Sequence, residues 1–143
     1  EPVMPHAFDK RPTGRHPALP WVLLAGYALL IFIQSSLPSP HVGPDIPGQD
    51  KVLHLAAYGL MGYLACRAFH TLRRLRTLWW VCLAGILFSI LFGLSDEWHQ
   101  AFVPGRQADG WDWAADSLGA ILGSLVYAWR HRPAGTTSTA FPR

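Results

Sequence analysis

The sequence predicts an all-α fold: a four-helix transmembrane bundle with both termini on the cytoplasmic side. Hydrophobic types make up 50% of the 143 residues and charged types only 15%, against about a quarter in soluble domains. Four long apolar runs follow one another, separated by loops rich in proline, glycine or basic residues. No strand-like alternation occurs, and only helices or closed barrels satisfy backbone groups inside a bilayer. These observations favour one helical membrane domain.

The chain opens with a tail and a first apolar run. Residues 1–18 are polar and proline-rich, which predicts a disordered basic tail. Pro20 then opens an uncharged run from Trp21 to Leu37, and proline is tolerated in a first helical turn. A cleaved signal peptide is the alternative interpretation. The length of the run and the lack of a clear small-x-small cleavage site favour an uncleaved helix.

Three further helices follow a proline-rich connection at residues 38–49. The apolar runs lie at Lys51 to about Phe69, Leu78 to Leu94 and Trp111 to Trp129. The helical pattern of the third run continues until Pro104-Gly105, which is expected to end it. The membrane domain is therefore predicted over residues 19–130, with a second disordered tail at 131–143.

The distribution of charge predicts the orientation of the bundle. Lys and Arg accumulate on the cytoplasmic side of membrane proteins. Ten of the 12 basic residues lie in the two tails and the loop after the second helix, while seven of the nine acids lie at the opposite ends of the helices. Both termini are therefore predicted to be cytoplasmic, and the acidic ends of the helices extracytoplasmic.

Helical spacing places polar side chains from three helices at that acidic end. Residues three or four positions apart share a helix face. The groups are Asp50 with His54 and Tyr58, Glu97 with Gln100, and Asp112 with Asp116. A carboxylate in contact with lipid costs on the order of 2.5–3.5 kcal/mol near a helix centre. These edges are therefore expected to face one another, with Arg106 folded over the opening.

This pattern provides candidate functional residues. The candidate catalytic residues are His54, Glu97, Asp112 and Asp116. The candidate substrate-binding residues are Asp50, Tyr58, Gln100 and Arg106. Carboxylates and histidine perform general acid–base chemistry, and an arginine holds a phosphate or carboxylate through two parallel hydrogen bonds.

Structural alternatives stand beside these roles. Asp50 and Asp112 are alternatively helix caps, and His54 is alternatively a hydrogen-bonded core histidine. Arg106 is alternatively a counter-ion for the nearby acids. Two further residues of the acidic stretch, Asp96 and His99, are expected at the membrane interface, Asp96 as a solvated charge.

No motif identifies a reaction or a cofactor. The chain has no zinc-protease motif, no Walker loop and no nucleophile motif with Ser or Cys beside His. Clusters of Asp, Glu and His bind metals, but the spacing here is not diagnostic, and no metal site is predicted. Cys66 and Cys82 lie inside apolar runs, where inert thiols are expected.

Three motifs, in order, resemble the VanZ-like family of small bacterial membrane proteins. They are Asp50-Lys51-x-x-His54-x-x-x-Tyr58, Asp96-Glu97-x-His99-Gln100-x-Phe102-x-Pro104-Gly105-Arg106 and Asp112-x-x-x-Asp116-x-x-Gly119-Ala120. The resemblance covers roughly residues 20–130, and Asp116 stands where Asn is common in that family. It implies a multi-pass protein of the bacterial inner membrane. For the founding member it also implies low-level resistance to the glycopeptide teicoplanin.

Three functions are consistent with these features. The first is a membrane-embedded enzyme that acts on an envelope lipid or lipid-linked molecule through the extracytoplasmic site. The second is a non-catalytic protein that binds a lipid head group or a glycopeptide. The third is a small transport subunit, which needs an oligomer because four helices are few for a pore. No nucleic-acid partner is expected, and the sequence leaves the oligomeric state open.

Overall fold

The computed structural model describes residues 18–38, 48–75 and 77–132. Within these ranges the chain forms four α-helices and no strand, so the predicted all-helical, four-helix fold is confirmed. The helices are α1 (Leu19–Ser36), α2 (Gln49–Phe69), α3 (Leu78–Gln100) and α4 (Gly110–His131). Most of the two predicted tails and of the proline-rich connection lies outside the described residues, although α4 continues to His131, one residue into the predicted second tail.

Three of the helices, α1, α2 and α3, are long and apolar enough to cross a membrane. Helix α4 is similar in length but more polar, since it carries Asp112 in its first turn and Asp116 one turn later. Its polar and small side chains are buried inside the bundle, while Leu118, Leu122 and Leu125 are exposed on its outer face. That is the reverse of a soluble helix and fits an outer face in contact with lipid.

The helices run alternately up and down. Contacts between helix ends establish the order, and they join Trp21 to Thr71, Ser35 to Asp96, His54 to Asp116 and Glu97 to Asp109. Helices α1 and α3 therefore finish, and α2 and α4 begin, at the same end of the bundle. This end is called the polar end below, because the acidic residues of the described ranges gather there.

Helices α2 and α4 form the tightest pair. A Cβ atom on Gly123 would overlap the carbonyl oxygen of Gly59, and one on Gly119 would overlap the carbonyl oxygen of Leu55. Glycine lets the two backbones approach closely, as small residues do between membrane helices. The seam fixes the register of the two helices and brings residues near their starts to the same level.

Helix α3 ends earlier than the sequence predicts. The pattern was expected to continue to Pro104, but the helix stops at Gln100. The chain then tightens into a turn, in which Phe102 N donates to His99 O and Val103 N to Gln100 O, both at 3.0 Å. These shorter-range bonds replace the helical ones at the last turn, as is common at helix ends.

The starts of α2 and α4 differ from the predicted caps. Gly48, with a φ of 80°, precedes α2, so Asp50 lies inside the first turn and is not the cap. Asp109 caps α4, where its side chain accepts a hydrogen bond from Trp111 N. The alternative in which Asp112 caps the helix is therefore excluded, and its side chain is available to the polar end.

Candidate functional site

A buried pair, His54 of α2 and Asp116 of α4, lies at the centre of the polar end. His54 Nδ1 is 2.9 Å from Asp116 Oδ1, and Asp116 is fully buried. When Asp116 is ionised it only accepts hydrogen bonds, and Nδ1 then carries the proton of this pair. The other ring nitrogen, Nε2, lies 3.8 Å from Asp112 Oδ2. The structure thus brings together three of the four predicted catalytic residues.

The fourth predicted catalytic residue, Glu97 of α3, lies close to the same His54–Asp116 pair. The residue is 5% exposed. Its Oε2 accepts the N–H of Asp109 at 2.9 Å, whereas Oε1 has no hydrogen-bond partner among the described residues. Gly93, one turn earlier, admits this approach, since a Cβ there would lie 3.2 Å from Asp116 Oδ2. One ligand-type atom each from His54, Glu97 and Asp116 lies within 4.8 Å of the others.

Lys51 lies at the rim of this site and holds three carboxylates together. Its Nζ is 3.0 Å from an oxygen of each of Asp50, Asp109 and Asp112. Individual pairs at this exposure contribute little, but the shared ammonium orders the starts of α2 and α4. Sequence reasoning assigned no role to Lys51. Its position three residues before His54, among acids, is the signal that would have found it.

The carboxyl of Asp109 is the titratable group of this rim that lies outside the helices. Its first partner is the backbone N–H of Trp111, and its second is the Lys51 ammonium. Both favour the ionised form, and they lower the pKa of Asp109 below its usual range. The ion pair between Lys51 and Asp109 is therefore formed at neutral pH.

A second buried cluster joins α1 to α3, and two expectations change there. Asp96 is 4% exposed, so the expectation of a solvated interface charge was wrong. Its Oδ2 accepts from Ser35 Oγ at 2.7 Å and from Gln100 Nε2 at 3.0 Å. Gln100 therefore contacts Asp96 and not the His54 group. His99 is partly buried and lies 2.9 Å from the hydroxyl of Ser36.

Tyr58 lies between the two clusters. It is 2% exposed, and its hydroxyl has no hydrogen-bond partner among the described residues. Its position deep in the bundle agrees with the predicted helix face, one turn below His54.

Arg106 does not fold over the acids. Its Nε donates to Leu37 O at 3.2 Å and its Nη2 donates to Gln34 O at 3.0 Å, so it caps the carbonyl end of α1. A cation at this position also interacts favourably with the helix dipole. Among the described residues its third nitrogen, Nη1, has no hydrogen-bond partner. The predicted role in binding an anion stays a prediction.

A groove gives the lipid-facing surface access to Glu97. It lies between the end of α3 and the start of α4 and has a volume of about 270 Å³. Its apolar walls include Leu94, Trp98 and Trp113, and it reaches Glu97 and Asp109. The three apolar side chains are exposed on the outside of the bundle. The groove therefore leads from the outer surface of the bundle toward Glu97.

This arrangement is suited to proton transfer. Asp116 orients the imidazole through Nδ1 and leaves Nε2 for a reacting group, as in other His–carboxylate pairs that act as general bases. Asp112, whose Oδ2 is 3.8 Å from Nε2, pairs in turn with the Lys51 ammonium, and Glu97 lies close to the His54–Asp116 pair. Proton donors, proton acceptors and a fixed positive charge thus lie within one site.

The comparisons with curated proteins and with solved structures found no match. A match to the VanZ/LLP1 family extends over residues 20–131 and includes all four helices, apart from the first residue of α1, and every residue of the site. Since this covers most of the chain, the helical protein described here belongs to the VanZ/LLP1 family.

Proposed function

We propose that this membrane protein binds and chemically acts on a lipid or lipid-linked envelope molecule at the extracytoplasmic face of the inner membrane. The observation that carries the proposal is the buried His54–Asp116 pair with Glu97 beside it. Ionisable groups inside a membrane bundle are expensive and mark functional sites. A purely structural core would be served by apolar side chains.

The route into the site favours an amphiphilic substrate. The groove between α3 and α4 joins a lipid-facing aromatic surface to Glu97. An acyl or polyprenyl chain would stay against Trp98 and Trp113, while the polar head group would reach Glu97 and His54. A water-soluble substrate would not need this lateral opening.

In this proposal each residue has a distinct role. His54 Nε2 takes or gives a proton, and Asp116 fixes the orientation of the ring. Glu97 and Asp112 flank the reacting group, and Lys51 provides the positive charge at the rim. Asp50, beside Lys51 and largely exposed, contributes to the entrance. The contacts of Gln100 and Arg106 favour supporting roles for both.

The extracytoplasmic location rests on the charge distribution. Reporter fusions after Arg132 and within residues 38–49 test it. A periplasmic signal from the first fusion would place the site on the cytoplasmic side.

A non-catalytic binding protein is the second candidate, and the rim favours it. Lys51 already has three carboxylate partners, so its ammonium is held as a fixed charge at the entrance. A protein of this kind would recognise a head group or a glycopeptide without changing it. Such recognition would also account for a contribution to teicoplanin-type resistance.

One experiment separates the two candidates. The purified chain is reconstituted in vesicles of bacterial envelope lipids, and the lipids are followed by mass spectrometry with the wild type, His54→Ala and Asp96→Asn. A product formed by the wild type and by Asp96→Asn, but not by His54→Ala, supports the enzyme. Lipids that co-purify unchanged support the binding protein, and neither product nor retained lipid would overturn both.

A further inference from the structure

The polar end carries more negative charge than its own cations neutralise. Six carboxyl groups lie there, from Asp50, Asp96, Glu97, Asp109, Asp112 and Asp116. Lys51 pairs with the three at the rim, and Arg106 donates to backbone carbonyls of α1. His54 is therefore the one basic side chain, among the described residues, that contacts the inner carboxyl of Asp116.

Two buried oxygens in this inner part have no hydrogen-bond partner among the described residues. They are Glu97 Oε1 and Asp116 Oδ2, and the residues that carry them are 5% and 0% exposed. A buried carboxylate oxygen without a donor is costly, because it loses its hydration and gains nothing in return. Both oxygens belong to residues whose ligand atoms lie close to His54. A bound group that accepts their lone pairs would remove this cost.

We propose that His54, Glu97 and Asp116 bind a divalent cation of the borderline class, Zn²⁺ or Mn²⁺. Each residue offers one ligand atom, and these atoms lie within 4.8 Å of one another. Bonds of about 2.0–2.2 Å would bring them to about 3.3–3.6 Å apart around a tetrahedral ion. This difference is within the reach of small side-chain rotations.

The chemistry of the donors selects the ion. An imidazole suits Zn²⁺ and other transition metals, whereas Ca²⁺ and Mg²⁺ prefer oxygen ligands alone. One nitrogen and two carboxylates match Zn²⁺ and Mn²⁺ and leave a coordination position open. The ion would also supply the positive charge that the inner carboxylates lack.

The surroundings of the ligands fit this assignment. Metal-binding histidines direct their second ring nitrogen at a carboxylate, a carbonyl or water. With Nδ1 deprotonated and bound to the ion in place of its hydrogen bond to Asp116, Nε2 of His54 would carry the ring proton and face Asp112, whose Oδ2 is 3.8 Å away. Glu97 is held in turn by the N–H of Asp109 on its Oε2. Both ligands thus have outer partners that orient them.

The test uses the ions alone and does not depend on the proposed function. The full chain, without a histidine tag, is purified in mild detergent, stripped with a chelator and dialysed against Zn²⁺, Mn²⁺, Mg²⁺ or Ca²⁺. Bound metal is counted by mass spectrometry, and thermal unfolding is followed in the same samples. The variants are Glu97→Gln and Asp116→Asn, with Asp96→Asn as the matched control from the neighbouring cluster.

The expected result is close to one Zn²⁺ or Mn²⁺ per chain, with a higher unfolding temperature, in the wild type and in Asp96→Asn. Glu97→Gln and Asp116→Asn should bind at least about tenfold more weakly. No binding by the wild type, equal binding by all variants, or equally tight binding of Ca²⁺ would overturn the proposal. If either variant fails to fold, His54→Gln tests the same site and should show the same loss.

Discussion

Asp96 and Glu97 are neighbours in the chain and are both buried, yet they belong to different environments. Successive residues of a helix point about 100° apart. Asp96 therefore faces α1, where the neutral side chains of Ser35 and Gln100 donate to it. Glu97 faces α2 and α4, where His54 and Asp116 lie.

The difference shows how one helix end can carry both a structural tie and a site. In the Asp96 cluster, neutral donors satisfy one carboxylate oxygen twice and join two helices. In the Glu97 group, ionisable residues from three helices meet. Unpartnered oxygens occur in both regions among the described residues: Asp96 Oδ1 in the first, and Glu97 Oε1 and Asp116 Oδ2 in the second. Substitutions in the first cluster should mainly change stability, and substitutions in the second should mainly change function.

The largest expected effect is on function. Glu97→Gln keeps the shape of the side chain but removes its charge and proton-accepting ability, and we expect activity to fall by about a hundredfold or more. Asp96→Asn should stay within a few-fold of the wild type. Lipid turnover in vesicles measures both, with helix content by circular dichroism as the check on folding. Equal losses in the two variants would show that the two regions do not differ in role.

The reverse pattern is expected for stability. Asp96→Ala removes the acceptor of Ser35 and Gln100 and should destabilise the bundle by about 1–2 kcal/mol, the range for buried hydrogen bonds in membrane proteins. Asp96→Asn keeps an acceptor oxygen and should lose less. Unfolding by SDS titration in mixed micelles gives the comparison. If Asp96→Ala left the free energy of unfolding unchanged, the packing of α1 would not depend on this cluster.

The sequence predicted one of these two regions much better than the other. The helical spacing of His54, Asp112 and Asp116, with the cost of exposing carboxylates to lipid, placed these residues in one group. The burial of Asp96 depends on which face of α3 is covered by α1. From Trp21 to Ile33 helix α1 is apolar or small on all sides, so no polar face indicates its partner.

The sequence pattern also could not predict the local geometry at the starts of α2 and α4. Asp50, Asp109 and Asp112 all suit the start of a helix, and propensity alone does not choose among them. The choice of Asp109 as the cap of α4 leaves the other two for Lys51. A three-way contact of this kind depends on the tertiary position of α2 against α4.

A smaller effect is expected from pH at the rim. Trp111 N–H and Lys51 lower the pKa of Asp109, so its ionised form stabilises the folded state. This contribution is present above about pH 4, the ordinary Asp value, and is lost as the pH falls through the lowered pKa of the folded state. The melting temperature in detergent, measured from pH 6 to pH 3, should fall more steeply for the wild type than for Asp109→Asn. Parallel curves would show that this rim contact does not contribute.

The smallest expected effect is that of Arg106→Lys, which also decides how far the functional region extends. Two nitrogens of the guanidinium donate to the carbonyls of Gln34 and Leu37. A lysine retains the charge near the end of α1 but loses the fork geometry, so one hydrogen bond should be lost, at about 0.5–1.5 kcal/mol. Because these contacts are to α1 and not to the inner carboxylates, activity should stay close to that of the wild type. Unfolding by SDS titration and lipid turnover in the same preparations measure the two quantities. A strong loss of activity with unchanged stability would instead show that Arg106 grips an anionic head group through its fork. The site would then reach from His54 across the polar end to α1.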